Sequence, residues 1–133
     1  MRRLISVLTT AVAVVAATAG AWVPAANAAG GPNLSIGKAA SASTVNGPYA
    51  AGNVNDGNQG SYWEGSGAFP QWARVDLGSG VSVDQVVLKL PTGWGARTQT
   101  LSIDGSADGT TFTTIVASAG RTFNPATGNT VTI

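Results

Sequence analysis

The chain has 133 residues, enough for one domain with a short extension, and it contains neither cysteine nor histidine. These absences exclude a disulfide framework, the commonest zinc ligand and the commonest general base, so packing or a metal must hold the fold. Seven basic residues against six acidic ones give a net charge of +1. The basic residues form no cluster of the kind that binds duplex nucleic acid, so we expect no nucleic-acid partner.

The first 28 residues have the pattern of a secretory signal peptide. Arg2 and Arg3 precede an apolar run, which ends before the small-residue triplet Ala26-Asn27-Ala28. We therefore predict cleavage after Ala28, a secreted, extracellular mature protein and no stable membrane insertion once the signal is removed. A membrane anchor is the alternative, because the apolar run approaches the thickness of a bilayer.

Short strands separated by turns are predicted from residue 33 onward, and no helix of useful length is predicted there. Each run is rich in β-branched or alternating apolar residues and is bounded by glycine, proline, aspartate or asparagine. The predicted strands are Gln71–Leu77, Val83–Leu90, Thr98–Ile103, Thr111–Val116 and Thr130–Ile133, with turns at Asp104-Gly105 and Asp108-Gly109. Strands at such intervals predict an all-β antiparallel sandwich or barrel.

Four motifs follow one another along this part of the chain. They are Asn33–Ser43, Asn53–Gly57 followed by Tyr62-Trp63, Gln71–Gly78 and Ser106–Phe112. In this order they resemble the discoidin family, also called the coagulation factor V/VIII type C family, which includes carbohydrate-binding module family 32.

The resemblance implies a fold and a domain arrangement. The implied fold is a galactose-binding-like jelly roll, an antiparallel β-sandwich, spanning residues 33–133 after the signal peptide at 1–28 and a spacer at 29–32. Members of the family continue with further strands and a late acidic residue, so we expect this domain to be incomplete at its C-terminus. It also implies a monomeric, secreted carbohydrate-binding module, appended to a glycan-degrading enzyme or a fragment of one.

A loop around Asp56 is a candidate metal site. Asn53, Asn58 and Ser61 surround Asp56 in sequence, and hard cations take several oxygen ligands. The resemblance implies a structural calcium here, although the late acidic ligand of the family has no match in this chain. The alternative is that Asp56 only caps its own turn.

Four residues are candidate ligand contacts: Trp94, Tyr49, Arg97 and Arg121. Trp94 lies between Gly93 and Gly95, a loop setting in which a large aromatic side chain has little reason to be buried. Arginine offers a fork of donors to sugar hydroxyls, and the alternative for Arg97 is a surface ion pair with Asp76 or Asp104.

The other aromatic residues are weighed differently. Phe123, which lies close to Arg121 in the sequence, is a further but weaker ligand candidate. Trp63 and Trp72 are expected in the core, because both occupy motif positions that the family buries.

Glycan binding is the leading functional hypothesis, and the chain is expected not to be an enzyme. One alternative is an extracellular adhesion module that binds protein or a lipid surface. Another is a small hydrolase built on Asp104 with Asp108 or on Asp56 with Glu64. Turn formation is the better explanation for Asp104 and Asp108, since both precede glycine.

Overall fold

The computed structural model describes residues 4–8, as backbone only, together with residues 31–78 and 80–133. Within these residues the regular structure is β, apart from two single 3₁₀ turns at Ala51–Val54 and Pro125–Thr127. The strands are β1 Leu4–Leu8, β2 Ala39–Ala42, β3 Trp72–Asp76, β4 Val87–Lys89, β5 Arg97–Ser106, β6 Thr113–Phe123 and β7 Thr130–Thr132. The predicted all-β fold is confirmed.

The strands form two antiparallel sheets. The larger sheet has the order β2-β3-β1-β5-β6, and the smaller sheet pairs β4 with β7. The end of β4 lies beside the start of β7, and the end of β6 lies beside the start of β5. The loops that follow β4 and β6 therefore lie at one end of the sandwich.

Strand β3 shows how the sequence builds the core. Side chains alternate between the two faces of a strand, and Ala73 and Val75 are fully buried whereas Trp72, Arg74 and Asp76 are half-buried. The buried face packs on Leu88 of the smaller sheet, and burial of each such aliphatic side chain contributes about 1.5–3 kcal/mol. The complete buried cluster is Val75, Leu77, Val86, Leu88, Leu90, Leu101, Ile103 and Phe123.

The predicted turn at Asp104-Gly105 is wrong, because β5 continues through both residues to Ser106. A side chain at position 105 would place its Cβ only 2.5 Å from Cδ1 of Ile115 on β6. Glycine therefore serves here for close packing between paired strands, not for a turn. Strand β6 is correspondingly longer than predicted, and β4 covers only the end of the predicted run Val83–Leu90.

Asp108 forms the turn between β5 and β6, as predicted. Its Oδ1 accepts hydrogen bonds from the backbone N–H groups of Thr110 and Thr111, both at 2.8 Å, and from the Ser106 hydroxyl at 2.9 Å. The bond from Thr111, followed by those from Thr110 and Ser106, lowers the pKa of Asp108 to about 2. Asp108 is thus held as a charged turn residue.

Most of the predicted signal peptide, including the cleavage site after Ala28, lies outside the described residues. Its segment Leu4–Leu8 is described and forms β1 in the larger sheet. Among the described residues, no helix is long and apolar enough to cross a membrane.

Candidate functional site

Three aromatic side chains from separate loops meet near one end of the sandwich. The rings of Tyr49 and Tyr62 stack with their centroids 4.4 Å apart and an interplanar angle of 18°. Tyr62 also contacts Trp94 edge to face, at 4.5 Å and 67°. The guanidinium of Arg97 lies 4.4 Å from the centroid of the Trp94 ring. We call Tyr49, Tyr62, Trp94 and Arg97 the aromatic cluster.

Buried amides hold the Trp94 side of the aromatic cluster. Asn129 is fully buried, and its side-chain amide donates to the carbonyls of Pro91 at 2.9 Å and Trp94 at 2.8 Å. The Gln59 amide donates to the carbonyls of Leu90 and Gly128, at 2.9 and 2.7 Å. Both amides bond to backbone carbonyls, so they fix the path of the loop that carries Trp94.

The tyrosine side of the aromatic cluster is fixed by pairing between two loops. Glu64 N–H donates to the Tyr49 carbonyl at 3.2 Å, and the Asn46 amide donates to a carboxylate oxygen of Glu64 at 2.7 Å. The Asn53 amide donates to the Tyr62 carbonyl at 2.9 Å. The two tyrosine rings are therefore presented by a tied pair of loops.

The polar groups of the aromatic cluster suit hydroxyl recognition. Hydrogen bonding with Tyr49, followed by desolvation and the nearby charge of Glu64, raises the pKa of Tyr62 to about 12. Its phenol is therefore neutral at physiological pH and can both donate and accept hydrogen bonds. Arg97 is exposed and adds a planar set of donors beside the half-buried indole of Trp94.

The predicted ligand residues Tyr49, Trp94 and Arg97 are brought together, with Arg97 over the indole and not in the alternative ion pair. Arg121 lies opposite Gln99 on β5, two residues along the strand from Arg97, and its role as a ligand contact stays a prediction. Phe123 is wrong as a ligand candidate, because it is fully buried in the core at the end of β6.

Tyr62 is the cluster member that the sequence analysis missed as a ligand contact. Its neighbour Trp63 is 1 % exposed and donates its indole N–H to the Thr44 carbonyl at 2.9 Å, which confirms the prediction that Trp63 is a core residue. In extended chain, successive side chains point to opposite sides. The burial of Trp63 was therefore itself a signal that Tyr62 points outward.

Trp72 is not a core residue, contrary to the prediction. It lies on the face of β3 that looks away from Ala73 and Val75, and it is half-buried. The guanidinium of Arg74 lies 4.6 Å from the Trp72 ring centroid and 5.8 Å from that of Phe112. The cause is strand alternation, which gives residue 72 the same face as the polar residues 74 and 76.

Asp56 makes the hydrogen bonds of a capped turn, and the calcium site in this loop stays a prediction. The Asp56 carboxylate accepts from Asn58 N–H at 2.8 Å and from the Ser61 hydroxyl at 2.6 Å, while Asn53 donates away from the loop to Tyr62. The described residues contain no group of three or more acidic, histidine or cysteine side chains placed to hold a metal. Any calcium in this loop would therefore take the Asp56 carboxylate together with backbone and amide oxygens, since calcium takes six to eight oxygen ligands.

The described residues thus form an all-β sandwich with an aromatic cluster on loops near one end. The family model described as NedA-like, galactose-binding domain matches residues 53–133, which is more than half of the chain. The chain therefore belongs to this galactose-binding family of F5/F8 type C domains, and the predicted resemblance is confirmed. Comparisons with curated proteins and with solved structures found no match.

Proposed function

We propose that this protein is a secreted, non-catalytic module that binds glycans through the aromatic cluster. The observation that carries the proposal is Trp94, a half-buried indole on a loop, held between the edge of Tyr62 and the guanidinium of Arg97. The family supports the choice of ligand, because its members are galactose-binding domains.

Binding by this cluster combines two kinds of contact. The apolar face of a pyranose ring stacks on aromatic side chains, and this contact removes apolar surface from water. The Arg97 donors and the neutral Tyr62 hydroxyl then bond to sugar hydroxyls and set the orientation of the ring. Contacts of these two kinds give reversible binding.

A non-catalytic role is supported by the placement of the carboxylates. A glycosidase needs two carboxyl groups that face one cleft at a defined separation. Asp108 is an exposed turn residue and Asp104 is buried within β5, while Asp56 is occupied with its own turn. Glu64 is bonded to Asn46 beside the aromatic cluster, where it positions a loop.

Native gel electrophoresis in the presence of a galactose-bearing polysaccharide tests the proposal. We expect the wild-type protein to be retarded, free galactose to relieve the retardation, and Trp94→Ala to migrate as if no polysaccharide were present. Phe69→Ala is the matched control, because Phe69 is also aromatic and is 59 % exposed but lies outside the cluster. The recovered polysaccharide should be unchanged in length.

Retardation that persists in the Trp94→Ala variant would show that the aromatic cluster is not the glycan-binding site. Binding to anionic lipid vesicles without any retardation by glycans would favour the adhesion alternative instead. Shortening of the polysaccharide would show that the protein is an enzyme.

Calcium at the Asp56 loop stays a prediction, and the geometry described above gives it no part in glycan binding. Thermal unfolding with calcium or with a chelator tests it. A calcium-dependent rise in the melting temperature that disappears in Asp56→Ala would establish the site. The self-capped turn instead predicts equal melting temperatures in both conditions.

A further inference from the structure

The central position of the larger sheet is filled by the N-terminal segment of the chain. Strand β1 lies between β3 and β5 and runs antiparallel to both. Leu4 pairs with Asp76 on one side and Ser106 on the other, and Leu8 pairs with Trp72 and Ser102. A remote segment thus joins two strand pairs, β2-β3 and β5-β6, into one sheet.

The two strands that flank β1 cannot replace it by pairing with each other as they stand. Neighbouring strands lie about 4.8 Å apart, so β3 and β5 are separated by about twice that distance. Without a strand between them, both would present a row of unpaired N–H and C=O groups beside the core. We call this gap, lined by Trp72–Asp76 and Ser102–Ser106, the β3–β5 groove.

The register defines which peptide fits the β3–β5 groove. Position 5 lies beside the buried Val75, and position 7 lies between the buried Ala73 and Ile103. Cross-strand neighbours share a face of the sheet, so these two positions call for apolar residues. Position 6 lies beside Arg74 and Asp104 on the other face, and the chain has serine there.

We propose that the β3–β5 groove is a strand-binding site whose ligand is an extended peptide with apolar residues at alternate positions, and that residues 4–8 of the chain fill it in cis. Backbone pairing on both sides supplies the affinity, and positions 5 and 7, beside buried residues of β3 and β5, supply the selectivity. The cis arrangement belongs to the uncut chain, and the proposed cut after Ala28 severs residues 4–8 from the domain and lets a peptide in trans take their place. The proposal is independent of glycan binding at the aromatic cluster.

Cysteine cross-linking in the full chain tests whether residues 4–8 occupy the β3–β5 groove. Introduced cysteines can be followed cleanly because the chain has no cysteine of its own. Directly paired residues of antiparallel strands have Cα atoms about 4.5–5.5 Å apart, which suits a disulfide. We expect Val7→Cys with Ala73→Cys and Leu8→Cys with Ser102→Cys to oxidise to intramolecular disulfides. Val7→Cys with Ser41→Cys is the control, because Ser41 lies on β2, one strand further away.

Free thiols in both test pairs, or oxidation of the control to the same extent, would overturn the placement of residues 4–8. Thiol titration and non-reducing mass analysis read the result without relying on ligand binding.

Peptide exchange tests the groove as a binding site. A protease site is inserted after Ala28 of the full chain, the folded protein is cut, and a labelled peptide of residues 2–10 is added. We expect the cut N-terminal fragment to co-elute with the domain and the labelled peptide to replace it. A Ser6→Pro peptide should exchange at least about tenfold less, since proline cannot donate to a central strand.

Equal exchange by the two peptides would contradict backbone pairing in the groove. Release of the fragment with an unchanged unfolding transition would show that the domain has no need of the strand.

Discussion

Among the described residues, two half-buried tryptophans each have an arginine over the ring, and the two pairs differ in what surrounds them. The Arg97 guanidinium lies 4.4 Å from the Trp94 centroid, and that of Arg74 lies 4.6 Å from the Trp72 centroid. Trp94 belongs to a loop and contacts Tyr62, whereas Trp72 and Arg74 lie two residues apart on one face of β3.

The neighbours determine what each pair can do. Arg74 donates its Nε to the Ser41 hydroxyl at 2.9 Å and also lies near the Phe112 ring, so it is tied to the neighbouring strand β2 and to the turn before β6. Arg97 is exposed, and its Nε makes only a long 3.4 Å contact with the Gly95 carbonyl. The same interaction thus stabilises a sheet in one place and leaves donors for a ligand in the other.

The largest expected effect on stability comes from removing the support of the Trp94 loop. Asn129→Ala deprives two carbonyls of their donor and puts alanine at a left-handed φ of 50°. We expect a loss of about 2–4 kcal/mol in the free energy of unfolding, measured by denaturant titration.

Ser41→Ala is the matched change in the Trp72 region, because it removes one exposed hydrogen bond to Arg74. It should cost no more than about 1 kcal/mol. Equal losses in the two variants would show that the Trp94 loop is not held by Asn129.

Replacing Arg74 and Arg97 by alanine in two separate variants should distinguish an effect on stability from an effect on glycan binding. Arg74→Ala removes a cation–π contact and a hydrogen bond, so we expect a stability loss of about 1 kcal/mol and no change in glycan affinity. Arg97→Ala should change stability by less than about 0.5 kcal/mol and weaken glycan binding by roughly three- to tenfold.

Denaturant titration and affinity electrophoresis on the same samples give both quantities. The proposed difference between the Trp94–Arg97 and Trp72–Arg74 pairs is wrong if Arg74→Ala weakens glycan binding as much as Arg97→Ala does.

Alkaline pH should loosen the aromatic cluster before the Trp72 region. The pKa of Tyr62 is raised from 10.0 to about 12 in the folded protein, so its stabilising effect is complete below pH 10 and is lost as the pH rises through 12. Ultraviolet titration follows this directly, because the chain has only two tyrosines and both lie in the cluster.

Tyr62→Phe should remove the component that titrates near pH 12 together with the alkaline loss of stability between pH 10 and 12. Persistence of both features in Tyr62→Phe would assign them to another part of the molecule.

Sequence reasoning succeeded where local pattern decides structure. The alternation of Gln71–Leu77 predicted β3, and the glycines around Trp94 predicted that this residue lies in a loop. The family resemblance supplied the overall fold. These features depend on residues close together in the chain.

Sequence reasoning failed where contacts between distant segments determine the structure. Asn129 is buried because the carbonyls of Pro91 and Trp94, more than 30 residues earlier, need its donors. Gly105 looked like a turn residue because the packing of Ile115 over it cannot be read from the neighbouring sequence. The pairing of β1 with β3 and β5 was not predicted, since it joins residues that are far apart in the chain; the signal peptide stays a prediction.

The central claim is that the loop tryptophan binds ligand and the strand tryptophan does not. Its most direct test is the dissociation constant of one galactose-bearing glycan for wild type, Trp94→Ala and Trp72→Ala, measured by calorimetric titration. The account predicts a loss of at least about tenfold, equivalent to about 1.4 kcal/mol, for Trp94→Ala and an unchanged constant for Trp72→Ala. An unchanged constant for Trp94→Ala, with the loss appearing in Trp72→Ala, would contradict the account and place the ligand on the outer face of β3.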